Sequence, residues 1–343
     1  MDFLFWNLEN LFDPDDGGGP RGDYVSATGW TTERYRAKAL RVASALSRMG
    51  SNGERPSLIA LCEVDTPGTL QLIADSLVPE MALAVPPSAP GGYGDTALLY
   101  DPALFELRSS EWQSVNFRFQ RGEVLIADLV NRADNIPLKV MVCHWKSRGG
   151  GEAYTDPMRK IAGEFIQQLI WKDHGGLESV QEQRRCRMAS EDYTFAGFEH
   201  RNVLIAGDFN DDPFSESMMR YLKAGYDADF VLNQCDMNAV FLYNAAFEGL
   251  LKAPSGTNYY TNPHGTPWSM LDQIVMGPSL LSGSCGLSYQ RNSFRVLTDE
   301  TADERGRPRR ICFWDEDDQL CWDDQGISDH FPVRVIIEKS GNG

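Results

Sequence analysis

The chain reads as an α/β layered domain, and three features of its sequence point there. Short apolar runs of strand length recur along it, and amphipathic stretches at helical spacing separate several of them. No internal repeat or low-complexity linker divides it, so one domain over 1–343 is expected, with surface insertions near 172–200 and 286–325.

Phe3–Trp6 is an apolar run that opens the fold as a buried strand, and the acidic, glycine-rich stretch 13–23 after it is a loop. Over Thr32–Met49, Tyr35, Ala39, Val42, Ala43 and Leu46 recur at helical spacing with arginines between them, which predicts an amphipathic helix. Leu58–Cys62 is a second strand, ending at Glu63, and Thr66-Pro67 caps a helix running to about Val78. Strands follow at Ala97–Tyr100, Val124–Val130 and Leu138–Cys143, and Asp156-Pro157 opens a third helix over Met158–Trp171. The stretch 172–200 is polar and irregular. Val203–Ala206, Gln273–Met276 and Pro332–Ile337 are the later strands. Segment 286–325 is charged and suits strands or loops, with a basic knot at Arg305, Arg307, Arg309 and Arg310.

A hydrophobic fraction of 42% supports a substantial core and excludes wholesale disorder. The formal net charge of −17 argues against a protein that coats nucleic acid through bulk charge. An enzyme acting on a polyanion stays open, because bound metal and a local basic patch reverse the field where it matters. The 7 cysteines are odd in number, and no pair has zinc-site spacing. Cys62 and Cys143 lie in apolar strands and read as small buried hydrophobes, while Cys312 and Cys321 could face each other across a hairpin. The first residues carry no basic region or long apolar run, and no run is long enough to span a bilayer. A monomeric, cytoplasmic protein without membrane contact is the expectation.

The informative pattern is that apolar strands end in polar, metal-competent residues. Phe3–Trp6 leads to Asn7 and Glu9, Leu58–Cys62 to Glu63, and Leu138–Cys143 to His144. Val203–Ala206 leads to Asp208 and Asn210, Leu271 to Asp272, and Ile327 to Asp329 and His330. One such ending is commonplace. Six of them are what a site at one sheet edge requires. Carboxylate and amide oxygens suit a hard divalent cation such as Mg2+ or Mn2+, which polarises a phosphoryl oxygen and stabilises a departing oxyanion. A carboxylate–imidazole pair supplies an oriented base, and a second imidazole or an amide holds the phosphate.

The motifs Phe-Trp-Asn-Leu-Glu at 5–9, Leu-Cys-Glu-Val at 61–64 and Val-Cys-His-Trp-Lys-Ser at 142–147 resemble the endonuclease/exonuclease/phosphatase superfamily, which includes deoxyribonuclease I. The resemblance continues in Leu-Ile-Ala-Gly-Asp-Phe-Asn-Asp at 204–211, Leu-Asp-Gln-Ile-Val at 271–275 and Ile-Ser-Asp-His-Phe-Pro-Val at 327–333, in family order over nearly the whole chain. It implies a four-layered α/β sandwich, two packed mixed sheets flanked by helices. Glu63 is similar to the principal metal ligand, with Glu9 and Asp329 on the metal side. Asn7 and Asn210 match phosphate-holding amides, Asp208 the acid that positions the attacking water, His330 the imidazole at the scissile phosphate, and Asp272 its orienting acid. His144 stands where deoxyribonuclease I-like members have histidine, and Asp95 is aligned loosely as its partner.

Two role assignments follow and stay open at this point. Either Asp272–His330 deprotonates water while His144 protonates the leaving group, or Asp208 activates water and His330 stabilises the transition state. Arg148 and its neighbour Lys146 could hold non-scissile phosphates. Arg159 is at least as readily a helix-surface charge as a phosphate ligand; the 305–310 arginines read as a solvated loop in preference to a phosphate-binding clamp, and Trp145 and Trp268 as core residues in preference to base-stacking ones. His174, His200 and His264 read as surface residues. Gln273 stands where many members have arginine, and Asp211-Asp212 departs from the inositol-phosphatase pattern. The expected activity is hydrolysis of DNA phosphodiesters by an endonuclease, with a phosphatase or phospholipase of a small or lipid phosphate ester as the alternative.

Overall fold

The computed structural model describes all residues except 17–23, 65–66, 87–94, 117–120, 174–200, 234–238, 261–266, 318 and 341–343. Two seven-stranded sheets form its centre. The first runs β14 (Leu287–Tyr289), β18 (Val333–Lys339), β1 (Asp2–Leu11), β2 (Leu58–Val64), β4 (Thr96–Tyr100), β3 (Ala82–Leu83), with β15 (Arg295–Val296) added to β18. The second runs β5 (Phe105–Asn116), β6 (Arg121–Asn131), β7 (Ile136–His144), β8 (Asn202–Asp208), β13 (Asp272–Met276), β10 (Leu242–Asn244), β9 (Ala224–Gly225). Both are mixed: β1–β2 and β7–β8 are parallel, while β1–β18 and β8–β13 are antiparallel. Two small hairpins join β11 (Asn258–Tyr259) to β12 (Trp268–Ser269) and β16 (Cys312–Trp314) to β17 (Leu320–Trp322).

The two-residue period of a strand assigns each apolar side chain to a layer. Phe3, Phe5, Leu58 and Ala60 point inward and meet Leu138, Val140, Leu204 and Ala206 of the opposite sheet in one core. The alternate residues Leu4, Trp6, Ile59 and Leu61 face outward and pack on Val42 and Leu46 of helix α1 (Thr32–Leu46) and Ile73 of α2 (Pro67–Asp75). Met141, Val203 and Ile205 likewise pack on Ile166 and Ile170 of α3 (Glu152–Asp173). Helix, sheet, sheet, helix: four layers. Two short helices, α4 (Ala228–Asn233) and α5 (Pro278–Ser282), pack on each other and on β10, and α5 also on β8 and β14.

Some expected elements shift. Helix α3 begins at Glu152 rather than at Asp156-Pro157, so Pro157 sits in its second turn, where it removes the backbone hydrogen bond to residue 153 and its ring crowds that carbonyl. The long antiparallel partner β5 carries a polar, half-exposed pattern that no apolar run announces. The expected insertion at 172–200 lies, beyond the last residues of α3, outside the described residues, as do His174, His200 and His264. Segment 286–325 folds as β14, β15 and the β16–β17 hairpin, with Phe294 and Ile311 buried in the cores. Cys312 pairs with Trp322 and Phe313 with Cys321, so the two cysteines project to opposite faces of the hairpin and are free thiols.

Candidate active site

The parallel pair β1–β2 and the β7–β8–β13 group bring their strand ends to one edge. Asn7 pairs with Cys62, His144 with Asp208, and Asp208 with Asp272 in the sheet registers, so three of the predicted strand endings are neighbours by backbone alone. Gly207 makes this close approach possible, since a Cβ there would overlap the Cys143 carbonyl on β7. After the Asn7–Cys62 pair the β1–β2 ladder bulges before it resumes at Leu11–Val64, and after Asp208 the chain leaves β8. Glu9, Asn10, Glu63 and Asn210 adopt left-handed backbone, with φ of 47°, 52°, 55° and 51°. These turns rotate the side chains off the strand lines and into the cleft.

Asp208 is the hub. Its Oδ2 accepts from Asn7 Nδ2 at 3.0 Å, and the same amide donates to Glu63 Oε1 at 3.1 Å. Glu63 Oε2 accepts the Asn10 backbone N–H at 2.8 Å, and Asp208 Oδ1 accepts that of Asn210 at 2.8 Å. Two imidazoles approach Asp208 Oδ2 through Nε2, each at 3.9 Å: His144 and His330. Each ring is steered by a carboxylate on Nδ1, from Asp95 at 2.5 Å for His144 and from Asp272 at 2.6 Å for His330. The loosely aligned Asp95 therefore does sit on His144. Asp272 is fixed in turn by Thr257 Oγ1, which accepts the Leu271 and Asp272 backbone N–H groups. Ser328 ties the last motif to the first, donating to the Asn7 carbonyl at 2.6 Å while accepting from His330 N at 3.0 Å.

Burial governs the electrostatics. It pushes both imidazoles towards the neutral form, but the adjacent carboxylates outweigh it. Asp95, with Glu63 and Asp208 behind it, lifts His144 to about 10. Asp272, Asp208 and Asp329 hold His330 well above its ordinary range. Asp272 is raised to about 6 by burial, against the pull of His330. Glu9 is raised to about 7 by burial and by Asp329, opposed by Lys38 and Arg310.

Glu9 and Asp329 fall outside the Glu63–His144–Asp208 cluster, although Asp329 Oδ1 comes within 3.9 Å of His330 Nε2. The Glu9 carboxylate accepts the Ile311 N–H at 2.7 Å and faces Arg310 at 3.5 Å; Arg310 also reaches Asp329 at 3.4 Å. Arg310 thus lines the cleft, which corrects the reading of the whole 305–310 cluster as a solvated loop. Its neighbours do stay outside: Arg309 pairs with Asp323 at 2.8 Å, and Arg307 lies over the Tyr259 ring. Arg159 is neither a surface charge nor a phosphate ligand. It is fully buried and pairs with Asp211 at 2.8 Å, and it also donates to the Lys146 carbonyl at 3.3 Å, binding α3 to the two loops that follow His144 and Asp208. Arg148 lines the cleft with its guanidinium on Asp212 at 3.0 Å and on the Asn210 carbonyl at 2.9 Å. Gln273 donates to the Asp211 carbonyl at 2.6 Å and so steadies the same loop. Thr257 and Asn258, which donates to the Asp329 carbonyl at 3.1 Å, had no signal in sequence because nothing about an isolated Gly-Thr-Asn announces a contact some seventy residues on.

The donor set fits a hard divalent ion. Among the described residues, Glu63, His144 and Asp208 offer ligand atoms within 4.8 Å of one another, and so do Asp208, Asp272 and His330. Glu63 and Asp208 approach each other with only a neutral amide between them, so a cation would relieve their repulsion.

Comparison with known proteins agrees with this geometry. Residues 3–339 match the Endonuclease/Exonuclease/phosphatase family, and no curated protein matches in sequence. Among solved structures, the mannosyl-6-phosphatase of Bacteroides thetaiotaomicron VPI-5482 superposes with a TM-score of 0.54 at 15% identity, covering 98% of this chain and 99% of that one. D. rerio TDP2 complexed with single strand DNA product superposes at 0.52 with 13% identity, covering 99% of each chain. A functionally unknown conserved protein from Enterococcus faecalis V583 superposes at 0.54 with 15% identity, covering 99% and 100%. At these identities the likeness is one of fold. The family match over nearly the full length, on a sheet edge built for a divalent ion, makes the chain a member of the endonuclease/exonuclease/phosphatase family of metal-dependent phosphoric ester hydrolases.

Proposed function

We propose that this protein is a nuclease, an endonuclease that hydrolyses phosphodiester bonds of DNA with Mg2+ or Mn2+. The observation that carries the reading is the pair of carboxylate-steered imidazoles on either side of Asp208, each with Nε2 at 3.9 Å from the same oxygen. Cleaving a diester requires a proton taken from water and a proton given to a departing alkoxide. Asp208 is placed to accept the first. His144, held protonated by Asp95, is placed to give the second. His330, held cationic between Asp272 and Asp208, offers positive charge to the phosphoryl oxygens as they gain it. This favours the assignment with Asp208 as base.

Glu63 would hold the metal ion, with Asp208 beside it and Glu9 and Asp329 as further carboxylates on that side; bound there, the ion supplies a Lewis acid for the phosphoryl oxygen. Asn7 and Asn210 hold the phosphate. Asn210 spends one amide hydrogen on the Trp145 carbonyl at 3.0 Å and keeps the other for a ligand. Arg148, anchored by Asp212, stands as a preformed donor for a neighbouring phosphate. A monomer suffices, since every residue in these roles comes from one chain.

A specific observation favours a second reading, hydrolysis of a small or lipid phosphate monoester. Carboxylates outnumber cations along the described cleft lining, which suits a compact ligand better than a long polyanion. Incubation with plasmid, single-stranded DNA, RNA, a hexose 6-phosphate and phosphatidylinositol phosphates, in Mg2+, Mn2+ or EDTA, separates the two. Cleavage of DNA in Mg2+ or Mn2+ that EDTA abolishes is expected. Turnover of monoesters with none of any phosphodiester overturns the nuclease reading.

A further inference from the structure

Above the catalytic residues the cleft carries aromatic side chains that the chemistry leaves unused. Phe214 follows the Asp208–Asp212 loop, Tyr260 follows β11, and Trp314 lies on β16; they are 65%, 71% and 63% exposed. Trp268 on β12 joins them, stacked on Phe331 with ring centroids 6.0 Å apart, beside His330. Four rings from separate segments thus converge on one cleft of about 1270 Å3, larger than the roughly 300–1,000 Å3 of an ordinary small-molecule pocket. Exposed rings grouped at a binding cleft mark a contact surface rather than a core.

Charge narrows what that surface meets. Among the described lining residues, 7 carboxylates face 3 lysine or arginine cations, and two of those cations are already committed: Arg148 to Asp212 at 3.0 Å and Arg310 to Glu9 and Asp329 at 3.5 and 3.4 Å. Such walls do not track the two phosphate rows of a duplex, which need a lysine- and arginine-rich groove. A duplex also hides the faces of its bases. An unpaired nucleotide presents one phosphate row and a free base face, and stacking on aromatic rings then supplies the affinity that charge does not.

We infer that the cleft takes unpaired nucleotides, a single-stranded segment or frayed end, with bases stacked on Tyr260 and Trp314 and the scissile phosphate at Asp208. This rests on the nuclease reading and names its substrate class. Phosphorothioate-linked oligonucleotides in Mg2+ test it by fluorescence polarisation, with a single strand, its blunt duplex and an equal-length abasic-spacer strand compared on the full chain. A 2-aminopurine in the single strand reports stacking directly through quenching.

The single strand is expected to bind about 10-fold tighter than duplex or spacer. Tyr260→Ala and Trp314→Ala should each weaken it about 5-fold or more and reduce the quench, with spacer binding unchanged and the thermal midpoint held because the rings are exposed. Equal affinity for the three ligands, no measurable single-strand binding, or full affinity in both variants overturns the inference. So does a loss of hexose 6-phosphate hydrolysis in the variants with single-strand binding intact, which places a sugar on the rings instead. Cleavage of duplex and single strand at equal rates defeats this inference alone, whereas absence of any diester cleavage defeats the nuclease reading and this inference with it.

Discussion

Glu9 and Glu63 occupy left-handed backbone at φ 47° and 55°, a conformation that costs a residue with a Cβ about 1–2 kcal/mol. Asparagine tolerates it better, as at Asn10 and Asn210, but glutamate has no local hydrogen bond that repays it. Four of the seven such non-glycine positions described lie at the site, so strain is concentrated where carboxylates must leave the strand direction. Glu9 carries a further cost. Its folded pKa is raised to about 7, so it contributes stability fully below the ordinary carboxylate value of 4.5, and that contribution is lost as pH rises through 7. Thermal or urea unfolding in EDTA should therefore show wild type losing more stability than Glu9→Gln between pH 4.5 and 8, the difference being on the order of 3 kcal/mol. An unchanged slope in Glu9→Gln would remove this residue from the account. His144 makes the companion case for catalysis. Asp95 helps lift it to about 10, so its acid form persists through neutral pH. Asp95→Asn should bring the alkaline limb of the kcat/KM–pH profile down towards neutrality, and an unmoved limb contradicts His144 as the proton donor.

At the scale of elements, the β7–β8 pairing sets the distance between His144 and Asp208, and Gly207 permits it. Gly207→Ala must push β8 away from the Cys143 carbonyl, with an expected cost of about 1–3 kcal/mol in urea unfolding and a larger fractional loss of activity than of stability. A variant as stable and active as wild type would show that this approach is not what aligns the pair. The elements legible in sequence were those with apolar residues on both faces. β1, β2, β7 and β8 lie between a partner sheet and a helix layer, so their Phe3–Trp6, Leu58–Cys62, Leu138–Cys143 and Val203–Ala206 runs are continuous. β5 faces solvent along much of its length and left no such run. Cys312 and Cys321 show what a hairpin guess lacks without its register: one residue of offset sends them to opposite faces. Arg310 was illegible for a related reason, since its place depends on Ile311 docking on Glu9, 302 residues earlier in the chain.

Over the whole molecule, a chain of net charge −17 directs further carboxylates into its own cleft and spends most nearby cations on them. The arrangement is consistent only if a divalent ion and buried imidazolium groups supply the positive charge at the phosphate. Six strand endings were readable as candidates because motif residues follow apolar runs; that Asp208 would be the hub, shared by Asn7, His144 and His330, required both sheets to be packed. Among the described residues no helix is long and apolar enough to cross a membrane. DNA cleavage in Mg2+ by wild type, Glu63→Gln and His330→Ala, with folding checked by thermal melts, tests the metal and imidazole roles together. Cleavage by wild type that EDTA abolishes is expected, with losses of about 100-fold or more in both variants at near-normal melting temperature. Cleavage that survives EDTA, or that His330→Ala retains in full, would contradict those roles.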